Sequence, residues 1–555
     1  MPMKGWQVSL AFAAHLVCRG SVAAQPHIVM VLADDLGYNN VGFHSDAPEV
    51  ATPHLDVLAA TGVRLERHYA YKFCTPARAS LLSGRSLRDP AEANAGVPYN
   101  MSTFPEVLRA AGYKTHVIGK WDAGMATPRH SPKGRGFDDA LIYWGHKNDM
   151  WTYKSVQSEC AKVGGLYANL TDLWEGNSPA FETVSTALRN GAFEEDIFRN
   201  RLLATVAVHD ANKPLFLLYA PHAAHCPLQV PYELYEASRR VVAASAAGDE
   251  ASCAAQTAPP AASGIYPGFD GNYSCRAVYA ASVALLDGNV GSLVASLEGQ
   301  GLWSTTLLVF QSDNGGCLQL TQSAASNHPL RGGKASDWEG GQRVVALAAG
   351  GLLPQRARGT ILRTPTHVAD WSATFCALAG APFVDDGARR AGLPPVDGRN
   401  LWPLLVGNAT LVHADVALSS QALLFGADLK LVLGKQPFAS LVGEAFPNAT
   451  SPNNDPEPVR LPPPGLYNVT RDASESLDLA AERPRDLAEA LRRMEDRRPG
   501  FYENQDAESE EATICAQKPA GVKCNPAASG PPDRACFVAV EHYGGFLGPF
   551  QQVDF

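Results

Sequence analysis

Cys74-Thr75-Pro76-Ala77-Arg78 holds the residues whose types and spacing have the most to offer chemically. A Cys followed by Pro at +2 and Arg at +4 is the core signal for oxidising that Cys to formylglycine. The hydrated aldehyde carries two hydroxyls on one carbon, which no encoded side chain does. A buried or disulfide-bonded Cys before a helix would satisfy the same short pattern, so the pattern has to be weighed with the residues around it.

Those residues are oxygen donors and cations. Asp34 and Asp35 are adjacent carboxylates that repel unless a cation holds them. Asp313-Asn314 follows another apolar run, and Gly315-Gly316 lets the chain turn tightly behind it. Three carboxylates and an amide oxygen form a hard donor set suited to Ca²⁺ or Mg²⁺ and poorly suited to zinc. Arg78, Lys120 and Lys334 are cations that, with a metal, would clamp a tetrahedral oxyanion. His225, in Ala224-His225-Cys226-Pro227-Leu228, is a candidate for proton transfer. Each of these residues taken singly also suits an ordinary solvated or structural role.

The elements that must bring them together are short apolar runs at 28–32, 115–118, 215–219 and 307–310. Each is followed by one of the polar groups above. From 25 to about 405 such runs alternate with helical periodicity, which predicts an α/β fold: a large mixed, mostly parallel sheet sandwiched by helices. Ligands of such sheets gather beyond the carboxyl ends of the strands. Residues 240–265, rich in Ala, Ser, Gly and Pro, read as an inserted surface loop. After about 405 short strands such as Leu429-Lys430-Leu431-Val432-Leu433 alternate with Pro-rich turns around Pro462-Pro463-Pro464. A charged helix is expected near 486–498. The division is therefore a leader over 1–24, a catalytic domain over 25–405 and a smaller α+β domain over 406–555.

Composition is that of a globular protein: 555 residues, 46% hydrophobic, 18% charged, net charge −10. That balance gives no electrostatic reason to expect nucleic acid. Lys4, the apolar stretch 8–17 and Val22-Ala23-Ala24 read as a secretory signal cut after Ala24. No later apolar run is read as long enough to span a membrane. Sequons at Asn100, Asn169, Asn272, Asn408, Asn448 and Asn468 agree with export. So do the cysteines at 160, 226, 253, 275, 317, 376, 515, 524 and 536, most of which would pair in an oxidising compartment.

Taken in order, these motifs resemble the sulfatase family. Ala33-Asp34-Asp35-Leu36-Gly37 is similar to its opening metal motif. Cys74-Thr75-Pro76-Ala77-Arg78, continued by Ala79-Ser80-Leu81-Leu82-Ser83-Gly84-Arg85, is similar to its formylglycine signature. Gly119-Lys120-Trp121, Gly136-Phe137-Asp138, Ser312-Asp313-Asn314-Gly315-Gly316 and Leu330-Arg331-Gly332-Gly333-Lys334 resemble later blocks. Asp172-Leu173-Trp174-Glu175, His367-Val368-Ala369-Asp370-Trp371 and Gly548-Pro549-Phe550 most resemble the arylsulfatase B branch. The resemblance implies the alkaline-phosphatase-like fold and hydrolysis of sulfate esters of sugars or aryl alcohols in the secretory pathway or a lysosome-like compartment. It implies one divalent cation on Asp34, Asp35, Asp313 and Asn314, lying against Cys74. Cys74, oxidised by the formylglycine-generating enzyme, would supply the nucleophile. Arg78 and Lys120 would stabilise it and the sulfate, and His225 and Lys334 would assist the departing oxygen.

Two positions depart from the pattern. Ala77 stands where the signature has Ser. Asp122 stands where the family has a His that takes a proton as the bound sulfate is expelled. A carboxylate titrates ordinarily near about 4 and an imidazole near about 6.5, so Asp122 would either be a base working to lower pH or add unwanted negative charge beside a bound sulfate. The rival readings are a phosphoester hydrolase of the same fold, which would carry Ser or Thr and two zinc ions, and a degenerate sulfatase-like protein that binds sulfated glycans without turnover. Tyr143-Trp144-Gly145-His146-Lys147 suits either the mouth of a sulfated-sugar site or a packed loop.

Overall fold

The structure, a computed structural model, describes residues 25–86, 96–98, 100–125, 127–155, 170–244, 274–318, 324–410, 413–437, 459–460, 464–501, 539 and 542–549. Several expectations lie outside the described residues: the leader over 1–24, the sequons at Asn169, Asn272 and Asn448, and Cys160, Cys253, Cys515, Cys524 and Cys536. So do Pro462, Pro463, Phe550 and most of the loop expected over 240–265, whose first residues are instead the end of helix Tyr232–Ala244.

Ten strands form the main sheet: β1 His27–Ala33, β2 Val63–Leu65, β3 Lys114–Lys120, β4 Asp139–Tyr143, β5 Trp174–Glu175, β6 Ser178–Pro179, β7 Leu215–Ala220, β8 Thr306–Ser312, β9 Ala346–Ala349 and β10 Thr360–Leu362. Their spatial order is β10-β2-β9-β8-β1-β7-β3-β4-β5-β6. The central five, β8-β1-β7-β3-β4, are all parallel, and antiparallel pairs lie only toward the edges. The four apolar runs are therefore neighbours, and each continues one or two residues further than its apolar part.

Strands buried on both faces carry unbroken apolar sequence, and β1 is wholly buried. Side chains alternate across the sheet. Ile28, Met30 and Leu32 meet helices Cys74–Ser83, Phe104–Ala110 and Asp370–Leu378 on one face. Val29 and Val31 meet helices Pro53–Thr61, Glu194–Ala207 and Cys275–Gly299 on the other. The fold is an α/β/α sandwich.

Helix Cys275–Gly299 corrects one expectation. Its 25 residues are long and apolar enough to cross a membrane by length and composition. Here it packs on the sheet through Tyr279, Leu286, Val290, Leu293 and Leu297, and its Asp287 accepts a bond from the Leu55 amide at 2.8 Å. Cys275 is disulfide-bonded, whereas Cys376 is a buried thiol in the sheet's core.

Beyond the sandwich, β11 Asp415–Ser419, β12 Ala422–Phe425, β13 Leu429–Val432 and β14 Gly465–Asn468 form an antiparallel sheet in that order. The charged helix runs over Pro484–Arg497 and covers one face through Ala490 and Met494. The other face, with Leu418, Leu424 and Tyr467, packs on Trp338 and Tyr69 of the sandwich. Residues 542–549 return to the main sheet, where Trp174 Nε1 donates to the Leu547 carbonyl and Thr171 bridges Phe546.

Candidate active site

Register explains why the carboxylates meet. β1 and β8 pair with Ala33 opposite Ser312, so Asp34-Asp35 and Asp313-Asn314 leave the sheet side by side. The Asp313 amide donates to the Ala33 carbonyl at 2.9 Å, and the Asp35 amide to Asp313 Oδ1 at 3.3 Å. Asn314 Nδ2 donates to Asp35 Oδ1 at 2.7 Å. Gly315 is required here by crowding: a Cβ would lie 1.7 Å from the Gly340 carbonyl oxygen.

Lys120 is the last residue of β3. Gly119 before it has φ +103, and a Cβ there would meet the Ala220 carbonyl at 2.0 Å. This turn aims Lys120 Nζ at Asp34 Oδ2, 2.7 Å away. Cys74 opens helix Cys74–Ser83, all of whose residues are buried. Pro76 falls in the first turn, where a missing N–H costs nothing, and Gly84 closes the helix at φ +66. Arg78, one turn on from Cys74, donates Nε and Nη2 to Asp313 Oδ2 at 3.0 and 2.8 Å and Nη1 to the Lys120 carbonyl at 3.0 Å.

Cys74 Sγ lies 3.4 Å from Asp34 Oδ1 and 3.8 Å from Asp35 Oδ1. Lys334 Nζ is 3.2 Å from the same sulfur, donates to Asp35 at 2.6 and 2.8 Å, and lies 3.2 Å from His225 Nε2. His225 Nδ1 bonds the Cys226 carbonyl at 2.5 Å, which leaves Nε2 as the acceptor facing Lys334. Asp122 accepts from Thr75 Oγ1 at 2.6 Å and His146 Nδ1 at 2.8 Å, with Lys120 Nζ at 3.5 Å. All ten residues singled out in the sequence thus converge on one buried cluster. Asp35, Asp122, Ala224 and Ala335, in it or next to it, hold non-glycine backbone at φ 54, 44, 80 and 77. Such strain persists only where surrounding structure enforces it.

Burial and charge set the protonation states. Burial raises the Asp34 carboxyl, but His225, Lys120, Arg78 and Lys334 outweigh it and hold the group well below its ordinary range. Burial and the charge of Asp34 push Asp313 up to about 7 despite Arg78. Two carboxylates so close want more positive charge than the side chains give. Among the described residues, Asn314 Oδ1 is buried without a hydrogen-bond partner. An orphaned amide oxygen beside three carboxylates fits a hard cation. Asp34, Asp35, Cys74 and His225 also present ligand atoms within 4.8 Å of one another. Burial, then Asp313 and Asp34, push the Cys74 thiol well above its ordinary range. Burial, more than the neighbouring Lys334 and Lys120, pushes His225 well below its own.

Of the expected mouth residues, Tyr143 and Trp144 are buried in the core, and only His146 and Lys147 are half-exposed. Thr75 and His146, as partners of Asp122, were not singled out individually, although each lies inside a stretch that was. Asp172 and Asp370 of the later motifs are scaffold: Asp172 accepts from the Trp144 and Gly145 amides, Asp370 from His413 and the His367 amide.

The sulfatase family model matches residues 26–381. Mouse arylsulfatase J is 28% identical over 507 residues, covering 85% of this chain and 75% of that protein. Human arylsulfatase A is 30% identical over 426 residues, covering 72% and 70%. Among solved structures, Ps i-CgsB in complex with k-i-k-neocarrahexaose is 25% identical with a TM-score of 0.63, covering 89% of this chain and 98% of that one. The family match runs through every strand, helix and loop that supplies the cluster, and the chain belongs to the sulfatase family of sulfuric ester hydrolases.

Proposed function

We propose that the chain hydrolyses sulfate esters of sugars, or of aryl alcohols, with a formylglycine formed from Cys74 and one hard divalent cation, Ca²⁺ before Mg²⁺. The observation that carries this is the state of residue 74. Burial, then the nearby carboxylates, push its encoded thiol above the ordinary range and away from the thiolate, while Asp34, Asp35 and Lys334 all lie against its sulfur. Formylglycine, made by a formylglycine-generating enzyme during export, supplies a hydrated aldehyde whose hydroxyl attacks sulfur. The cation, which Asp34, Asp35, Asp313 and Asn314 would hold against residue 74, supplies Lewis-acid polarisation.

The remaining roles belong to side chains. The N-terminus of helix Cys74–Ser83 presents its dipole to an anion at residue 74. Arg78 and Lys120 add charge on one side of that residue. Lys334 and His225 stand together on the other, placed to protonate the departing ester oxygen. Asp34, Asp35, Asp313 and Asp122 oppose Arg78, Lys120 and Lys334, so a divalent cation brings the cluster to +1. That matches the single charge of a sulfate monoester better than a phosphate monoester's near-dianion. Sulfated sugars are favoured by the likeness to a structure bound to k-i-k-neocarrahexaose. Export, glycosylation and disulfides are supported by the leader-like N-terminus, by exposed Asn100 and Asn408 and by Cys275.

Mass spectrometry of the Cys74 peptide, from a host with the oxidising enzyme, tests the reading alongside assay on a generic aryl sulfate. Formylglycine at position 74 is expected, and Cys74→Ala should fold yet lose turnover by roughly 10³-fold or more. A thiol at full occupancy, or appreciable turnover by Cys74→Ala, would overturn it. One observation favours a second reading, binding without turnover: Asp122 adds negative charge beside the sulfate position. Formylglycine-bearing protein that binds sulfated glycans yet turns over no ester would establish it.

A further inference from the structure

Both oxygens of Asp122 are engaged, one by Thr75 and one by His146, and the residue is wholly buried. Burial alone would raise its carboxyl, but His146, Lys120 and Arg78 together hold it below the ordinary range. It is a charged acceptor already supplied with donors. Cys74 Sγ has Asp34, Asp35 and Lys334 as hydrogen-bond partners, and Asp122 is not among them.

His146 differs on each count. Its side chain is 35% exposed. Its Nδ1 is committed to Asp122, and its Nε2 has no hydrogen-bond partner among the described residues. A carboxylate on Nδ1–H fixes the tautomer that leaves the lone pair on Nε2. The backbone holds this ring at the site. β3 and β4 pair with Lys120 opposite Tyr143, the Trp121 amide bonds the Tyr143 carbonyl at 2.9 Å, and the Asp122 amide bonds the Trp144 carbonyl at 3.2 Å. Asp172 clamps the Trp144 and Gly145 amides at 2.7 and 3.0 Å. Next along, Lys147 Nζ is 3.9 Å from Cys226 Sγ, beside His225. Residues 146 and 147, both half-exposed, therefore reach from the Asp122 side of the cluster to the His225 side.

We propose that Asp122 is a positioning residue and that His146, held by it, is the proton-exchanging group on this side of the site. This rests on the formylglycine reading. One proton leaves a hydroxyl at residue 74 as sulfate departs, its bonding pair stays on that oxygen to form the aldehyde C=O, and sulfate leaves with the electrons of the broken C–O bond. The proton binds the Nε2 lone pair, directly or through one water, and then passes to solvent from the exposed ring edge. Water adds back across the aldehyde, and nothing else is consumed. The function expected of one histidine at position 122 is thus divided between a carboxylate there and an imidazole from the next loop.

Two measurements test the pair. In Cys74→Ala protein carrying ¹⁵N-labelled histidine, with resonances assigned through His146→Gln, the His146 ring should be an Nδ1–H tautomer when neutral, and Asp122→Asn should shift it toward Nε2–H. An Nε2–H tautomer in the Asp122-bearing protein would overturn the proposal. In protein with Cys74 intact, His146→Gln and Asp122→Asn should each lower kcat by about 10²–10⁴-fold with KM little changed. The double variant should be scarcely worse than either. Both should lose the same limb of the pH–rate profile. Parental turnover by His146→Gln with a dead Asp122→Asn would make Asp122 itself the base and sink the idea. Absence of formylglycine in the parent would instead remove the reading on which the proposal rests, while the imidazole resonances, read without residue 74, still accept or reject the pairing.

Discussion

Asp313 joins the two halves of the charge cluster. Its Oδ2 takes both bonds from Arg78, and its Oδ1 takes the Asp35 amide. Asp313→Asn keeps the shape and removes the charge, leaving a buried guanidinium short of its partner. The sharper expectation concerns the cation. Thermal stability of the parent should rise with added Ca²⁺, and that rise should shrink markedly in Asp313→Asn, with turnover down by at least about 10²-fold. Unchanged metal content by elemental analysis would contradict the ligand set. The residue types at this site were readable from the chain because Asp34, Asp35, Lys120, His225, Asp313 and Asn314 each lie just beyond an apolar run, and Arg78 and Lys334 sit in short motifs of their own. Asp122 was readable only as a departure from a pattern. Its partners are set by a neighbouring loop, which no local signal announces.

Elements matter through their ends. The four strands were legible because strands covered on both faces leave unbroken apolar runs, and β1, β7 and β8 are buried along their whole length. The stretch 143–147 was not legible in this way. Tyr143 and Trp144 continue β4 into the core, while His146 and Lys147 are half-exposed, and the clamp by Asp172 together with the Trp121 and Asp122 amides sets where the turn falls. That clamp is pH-sensitive. Burial raises the Asp172 carboxyl to about 7, more than the Trp144 and Gly145 amides lower it, and the charge of Glu194 adds to the rise. A carboxyl whose folded pKa lies above its unfolded value near about 4 gives most stability when protonated in both states. Its contribution is lost as pH rises from about 4 through about 7. Denaturant unfolding at pH 5 and pH 8 should show the parent losing on the order of 1–4 kcal/mol more over that interval than Asp172→Asn. A pH dependence identical in the two proteins would show that the raised carboxyl is not felt.

At the scale of the whole molecule, we propose that the chain divides near residue 405, with 542–549 returning to the first unit. The antiparallel sheet then acts on the site through one buried network. Lys430 Nζ of β13 bonds Glu339 Oε1 at 3.0 Å and forms an ion pair with Glu475 Oε1 at 3.1 Å, and Tyr69 donates to Glu339 at 3.0 Å. Glu339 lies five residues beyond Lys334. Asp337 between them accepts from Ser419 of β11 and from Lys72, two residues before Cys74. Lys430→Met should leave two buried carboxylates facing each other and cost about 3–5 kcal/mol in denaturant unfolding. Turnover should fall well below the parent's in protein that is still folded, since the same segment carries Lys334. Full activity in a destabilised Lys430→Met protein would show that the sheet stabilises the molecule without positioning the site.

The sequence by itself determined the chemistry available and the frame that carries it. Hard oxygens, cations and Cys74 with Pro76 and Arg78 name an oxyanion site, and two-sided burial writes parallel strands as apolar runs. Only the tertiary structure decided which groups meet. The register of β1 against β8 joined Asp34 to Asp313, and the close approach of Gly119 to Ala220 aimed Lys120. The turn after β4 gave Asp122 a histidine from another loop. Contacts between residues distant in sequence depend on strand order and register. Those follow from the packing of all layers at once, and no single segment encodes them.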